Sequence, residues 1–196
     1  FFIGEHMPQV STNDFRQGLK ILVDKQPYTI VANEFVKPGK GQAFSRVKIK
    51  HLLTARVIEK NFKSGEKFEV ADALEADKRL LYTDSDEIVF MDDQNFEQVH
   101  VLLERAGETQ KWLKEDLIYT LVFYNGEVVS IDPPNFMELE VTETTPGEKG
   151  NTAAGRVLKP ATVETGAEVQ IPIFIQQGEI IKVDTRTGEY ASRVSK

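Results

Sequence analysis

Lys40 is the residue whose setting points most directly to chemistry. In Lys37-Pro38-Gly39-Lys40-Gly41-Gln42 a primary amine stands between two glycines, after a proline, with no carboxylate in the segment. Proline fixes φ and stiffens the approach. Glycine permits dihedrals closed to other residues and removes the side chains beside Lys40. An ammonium displayed this way suits phosphate, but the P-loop spacing, GxxxxGK followed by Ser or Thr, is absent. A solvated hairpin turn would use the same residues, so the segment alone leaves both readings open.

Other chemistry is thinner. The chain has no cysteine, which excludes disulfides, thiolate metal sites, iron–sulfur clusters and a cysteine nucleophile. His6, His51 and His100 are scattered, without the HxxxH or carboxylate spacing of a metal site, so no metal is expected. Asp84, Asp86, Asp92 and Asp93 lack the Asp-x-Asp-x-Asp-Gly loop with a distal glutamate that calcium requires, and read as turn and solubility residues. Trp112 and the strand aromatics read as core.

The formal net charge is -7 over 196 residues, which argues weakly against a general nucleic-acid binder. Its distribution argues otherwise. Residues 1–70 hold 12 Lys/Arg against 7 Asp/Glu, residues 71–134 hold 5 against 15, and residues 135–196 hold 7 against 9. Within 36–63, Lys37, Lys40, Arg46, Lys48, Lys50, Arg56, Lys60 and Lys63 face only Glu59. The N-terminal third can therefore contact phosphate, while the acidic middle cannot over a broad surface. No run approaches the roughly 20 apolar residues of a membrane helix. The opening residues lack a basic region followed by a long apolar stretch, so no secretory signal is expected. His6-Met7 looks like a cloning junction, and 1–6 are read as a tag remnant.

The elements that must position these residues are short strands. Leu19, Ile21 and Val23 alternate, break at Asp24-Lys25-Gln26-Pro27 and resume at Tyr28, Ile30 and Ala32, which predicts a hairpin. A second hairpin flanks 37–42, a third flanks Asp84-Ser85-Asp86, and a fourth turns at Asn125-Gly126. Further turns are expected at Gly166, Gly178 and Gly188. Helical spacing is rare: Phe96, Val99, Leu102 and Leu103 predict a helix over Asn95–Arg105, and a short second one includes Trp112 and Leu113. Boundaries are expected in the polar stretch Lys60–Lys67 and at Asp132-Pro133-Pro134-Asn135. They give three units, 7–70, 71–134 and 135–196, each small for independent stability. Thr142–Arg156 reads as a long exposed loop.

Three separated segments carry a family resemblance. Residues 34–44, Glu-Phe-Val-Lys-Pro-Gly-Lys-Gly-Gln-Ala-Phe, resemble the tip of bacterial translation elongation factor P. Residues 159–166, Lys-Pro-Ala-Thr-Val-Glu-Thr-Gly, are similar to that family's C-terminal signature, with Ile171 where valine is usual. Residues 178–190 and Ser192-Arg193-Val194 form the third anchor, and Pro133-Pro134-Asn135-Phe136 resembles the family's second junction. The likeness spans Ser11 to Val194.

The resemblance implies an all-β protein: an SH3-like (KOW-type) N-terminal barrel followed by two OB-fold barrels, in an L that imitates tRNA. It implies a non-enzymatic, cytoplasmic, monomeric factor that binds both subunits of the ribosome between the P and E sites. Such a factor positions peptidyl-tRNA and relieves stalling at consecutive prolines. Lys40 corresponds to the position extended post-translationally, by β-lysine in one branch, through an enzyme related to lysyl-tRNA synthetase; no other cofactor is implied. Lys37, Pro38, Gly39, Gly41 and Gln42 form the tip, and Arg46, Lys48, Lys50 and Arg56 would contact RNA beside it. Gly150, Asn151 and Thr152 resemble a loop that approaches E-site messenger RNA, with Asn151 in place of the usual aspartate. Tyr190 and Arg193 are further RNA candidates, a packed aromatic and a surface arginine being the alternative. Two rivals remain: an OB-fold single-stranded RNA binder, which needs aromatic platforms on strands, and a hydrolase, which needs convergent carboxylates.

Overall fold

The computed structural model describes residues 8–146 and 157–194. Residues 1–6 and the Gly150-Asn151-Thr152 loop lie outside them. The chain divides into two compact units, Phe1–Ala76 with Val122–Ser130, and Asp77–Leu121 with Ile131–Lys196. Among the described residues, no helix is long and apolar enough to cross a membrane.

The first unit starts with β1 (Gln9–Ser11) and a 3₁₀ turn, Thr12–Asp14. Ser11 caps the turn, and its backbone N–H donates to the Asp14 carboxylate. There follow β2 (Lys20–Val23), β3 (Gln26–Val36), β4 (Phe44–His51), β5 (Val57–Lys63) and β6 (Lys67–Glu69). Strands β2-β3-β4-β5 form one antiparallel sheet, and β1 pairs with β6. The Lys60–Lys67 stretch, expected as a boundary, is the end of β5 and the turn that returns the chain to β1. Phe15, Ile21, Val23, Ile30, Val47, Ile49 and Phe62 form the core. Each buried Val or Ile contributes about 1.5–3 kcal/mol. The Asp24-Lys25 turn places both residues at positive φ, 51° and 62°, as the twist of a two-residue hairpin requires.

Next come β7 (Ala73–Thr83), β8 (Glu87–Met91), β9 (Gln98–Leu102), a 3₁₀ segment Leu103–Trp112, β10 (Ile118–Tyr124) and β11 (Glu127–Asp132). Their sheet order is β11-β10-β7-β8-β9. The helix predicted over Asn95–Arg105 does not form. Gln98–Leu102 is a strand whose residues pair with Met91 through Glu87. Val99 and Val101 turn inward while His100 and Leu102 stay exposed, so the period is two, and Phe96 closes a turn at φ 60°. Trp112 does fall in a helical segment, of the 3₁₀ type.

After Pro133-Pro134 the chain forms β12 (Phe136–Thr144), β13 (Leu158–Val163), β14 (Glu168–Pro172), β15 (Ile180–Asp184) and β16 (Glu189–Arg193), in the order β14-β13-β12-β15-β16. Their core gathers Met137, Leu139, Val141, Val163, Val169, Ile171, Ile175, Ile181 and Val183. Trp112 joins it, only 3% exposed. The Tyr119 hydroxyl donates to the Trp112 carbonyl at 2.5 Å and accepts from the Lys114 N–H at 2.9 Å. Burial pushes the Tyr119 phenol up to about 12. Lys114 Nζ donates to Glu164 Oε1 at 2.8 Å and to the Glu138 carbonyl at 3.0 Å.

Trp112→Ala removes the largest side chain of this core's rim without altering a strand. It should destabilise the chain by about 3–5 kcal/mol, read as a lower urea midpoint by circular dichroism, with Trp112→Phe in between.

Candidate functional site

β3 and β4 build the site. Their pairing ends at Val36 opposite Phe44, and residues 37–43 form the loop beyond it. Lys37, Gly39, Lys40, Gly41 and Gln42 are exposed, and Pro38 is half-buried. Neither Lys37 nor Lys40 makes a hydrogen bond or ion pair among the described residues. Gly41 has φ 109°, a conformation that L side chains rarely adopt. Gly39 does not share it: a Cβ there would meet nothing within 4 Å, so only one of the two glycines is demanded by the backbone.

Alternation along β4 builds the flank. Ser45, Val47 and Ile49 are buried, which turns Arg46, Lys48 and Lys50 to the other face. Arg46 is partly neutralised by Glu34 at 3.4 Å and Glu59 at 3.9 Å. Lys48, Lys50 and Arg56 are unpaired among the described residues. Lys63, opposite Phe44 at the loop end of the sheet, is also exposed and its ammonium unpaired. It belongs with this face, and the charge run over 36–63 already contained it. The fold thus brings Lys37, Lys40, Arg46, Lys48 and Lys50 onto one hairpin, with Arg56 in the turn that follows.

The other candidates are placed differently. Tyr190 is half-buried and packs against the core of β12–β16. Arg193 Nη2 meets Glu179 Oε1 at 2.6 Å. Both features match the packed-aromatic alternative better than a free stacking pair. His51 is a turn residue: its Nδ1 accepts from the N–H groups of Leu53 and Thr54, and its ring lies edge-on to Tyr28.

The acidic turns are occupied by their own backbone. Asp84 Oδ1 accepts from the N–H groups of Asp86 and Glu87. Asp92 accepts from Lys78 Nζ at 2.7 Å and from the N–H groups of Gln94 and Asn95. Asp93 receives Arg79 through Nε and Nη2. Among the described residues, no three His, Asp or Glu side chains are grouped to hold a metal ion.

Residues 11–68 match the elongation factor P KOW-like domain, residues 75–131 the elongation factor P OB domain, and residues 137–193 the elongation factor P C-terminal domain. The chain belongs to the elongation factor P family. It is 60% identical over 189 residues to elongation factor P 2 of Protochlamydia amoebophila (strain UWE25), covering 96% of this chain and 100% of that protein. It is 60% identical over 190 residues to elongation factor P 2 of Chlamydia trachomatis serovar D, covering 97% and 100%. A solved structure, eukaryotic translation initiation factor 5A from Methanococcus jannaschii, aligns with a TM-score of 0.49 at 22% identity, over 68% of this chain and 98% of that one. As a member of that family, the chain is a translation elongation factor rather than an enzyme. Its all-β build, with KOW-like and OB domains, agrees with the fold class that the three anchors implied.

The hydrogen bond from Lys78, with the Gln94 and Asn95 N–H groups, holds Asp92 down at about 2. Its folded value lies below the unfolded value of about 3.9. The stabilisation is therefore present above about pH 4 and is lost as pH falls towards 2. Lys78→Met should raise the Asp92 midpoint towards the ordinary range in a carboxyl ¹³C NMR titration; an unmoved midpoint would contradict the assignment.

Proposed function

We propose that this elongation factor binds the ribosome between the P and E sites and reaches the acceptor end of peptidyl-tRNA with Lys40. The observation that carries this reading is the free ammonium of Lys40, in a loop beyond the last β3–β4 pair, with unpaired Lys37 in the same loop and unpaired Lys48 on the strand that follows. A cation beside acceptor-stem phosphates reduces backbone repulsion. Steadying the tRNA lowers the orientational part of the barrier to peptide-bond formation. That help matters most at consecutive prolines, whose rings restrict the chain. Lys40 is a positioning group here, and the ribosome makes the bond.

Arg46, Lys48, Lys50 and Arg56 support the tip by contacting tRNA or ribosomal RNA. Lys40 is also the site of covalent extension, by a β-lysyl-type group added by an enzyme related to lysyl-tRNA synthetase; its exposure leaves the amine open to that enzyme. The loop at Gly150-Asn151-Thr152 contacts E-site messenger RNA. The protein acts in the cytoplasm as a monomer, in three domains, 7–70, 71–134 and 135–196.

Lys40→Ala should leave the melting temperature unchanged, because the side chain is exposed and makes no hydrogen bond or ion pair among the described residues. In reconstituted translation it should lose most of the stimulation on a proline-run reporter and none on a proline-free control. Full rescue by the variant would sink the proposed role. Lys40→Arg keeps the charge but removes the amine, so an intermediate rescue would separate charge from extension.

A further inference from the structure

Phe35 is the aromatic ring of the tip hairpin that the barrel leaves unused. It is 57% exposed. Directly across from it is Ser45, and across from Ser45 is Phe62. Phe62 packs with Phe15 and Phe68, at centroid distances of 6.3 and 4.7 Å, and Phe35 joins none of these ring pairs. The reason lies in β3. Its pairing with β2 runs only from Gln26 to Thr29, so from Val31 to Phe35 the strand has one unpaired edge and every residue is exposed. The ring is thus reachable from the edge and from the face.

The electrostatic setting selects the partner. By register Phe35 shares its sheet face with Ser45 and Phe62, while Arg46, Lys48 and Lys50 stand on the other face, so the cations it adjoins are those of the loop just beyond it, Lys37 and Lys40. Lys37, two residues on, is exposed and unpaired among the described residues. A protein-docking surface is commonly a contiguous apolar patch of a few hundred Å². Here a single exposed ring stands between exposed Asn33 and exposed Lys37 along the strand, at the mouth of a cationic loop. An exposed ring next to a loop with free ammonium groups suits a base with its phosphate: the ring stacks and the ammonium meets the charge.

We propose that Phe35 is a stacking platform for an unpaired nucleobase of the RNA that the tip approaches. The proposal rests on the reading of the tip given above. Its occupant is an RNA base, not an apolar protein side chain, and Phe35 acts as a binding residue for it.

Four variants test this with ribosomes carrying a proline-run message: Phe35→Ala, Phe35→Leu, Phe35→Trp and Lys40→Ala. Melting by circular dichroism checks that all are folded, which the exposure of both positions favours. Phe35→Ala should weaken half-maximal stimulation by roughly 5- to 150-fold, the range for loss of one base stack. Phe35→Leu should lose as much, since it keeps apolar bulk without a π-face, and Phe35→Trp should retain activity. The new indole of Phe35→Trp should be quenched on ribosome binding, measured against the parent, whose Trp112 is buried. Parental behaviour of Phe35→Ala beside a failing Lys40→Ala would overturn the stacking role and leave the tip's function standing. Full activity of Phe35→Leu, or a blue shift without quenching, would overturn it in favour of a protein contact. Parental activity of both Phe35→Ala and Lys40→Ala would overturn the functional reading itself.

Discussion

The alternation of β4 is the constraint on which the site depends. Ser45, Val47 and Ile49 enter the core, so Arg46 and Lys48 have to face water and Lys50, half-buried, stands on the same side. Burial of Val47 and Ile49, each 0% exposed, contributes about 1.5–3 kcal/mol per side chain. Against this stands repulsion among cations two residues apart, roughly 7 Å along a strand. In water two unit charges that far apart repel by only about 0.6 kcal/mol, so core burial wins. The sheet therefore holds an incompletely neutralised row, with Glu34 and Glu59 reaching only Arg46. Phosphate would relieve the remaining repulsion, and that ties the local folding rule to a binding preference.

A second interaction stiffens the other unit from within. Trp112 comes from the 3₁₀ segment before β10, yet its ring belongs to the core of β12–β16. The Tyr119 hydroxyl holds the Trp112 carbonyl, and Lys114, two residues on, reaches Glu164 and the Glu138 carbonyl. Burial pushes the Glu164 carboxyl up, but the Lys114 ammonium and the Glu140 N–H outweigh it, and the net shift is downward. A buried ring flanked by a hydrogen-bonded phenol and an ion pair leaves few alternative packings for this stretch.

The hairpins were legible because their signals are local. Asp24-Lys25 and Asn125-Gly126 both turn at positive φ, as two-residue loops between alternating strands must. Lys40 was legible for the same reason, since its neighbours decide its exposure. The failures came where tertiary pairing overrode local pattern. Phe96, Val99, Leu102 and Leu103 sit at helical spacing, but the alternation Val99–His100–Val101 found a partner in β8. Gly39 and Gly41 look equivalent in sequence, and only the folded loop distinguishes them. For Tyr190 and Arg193 residue type left both readings open, and only the folded hairpin shows the ring against its own core and the guanidinium on Glu179. Phe35 was hidden inside a motif whose lysine drew the attention; its isolation follows from how far β2 extends, which no local window contains.

The carboxylates complete the argument. General acid–base catalysis requires a group whose pKa lies near the working pH. Here Asp84, Asp92, Asp93 and Asp184 are all held below the usual carboxylate range, by turn N–H groups or by Lys78, Arg79 and Arg186. They are fixed anions, locked to their turns and unable to exchange protons near neutrality. These four aspartates therefore serve the shape of their turns, while the exposed cations of the tip hairpin stay largely unneutralised. A protein so arranged can orient an RNA partner, an effect that needs no proton transfer. An effect of that kind needs reach and charge, which the exposed, unpaired amines of Lys37 and Lys40 supply among the described residues.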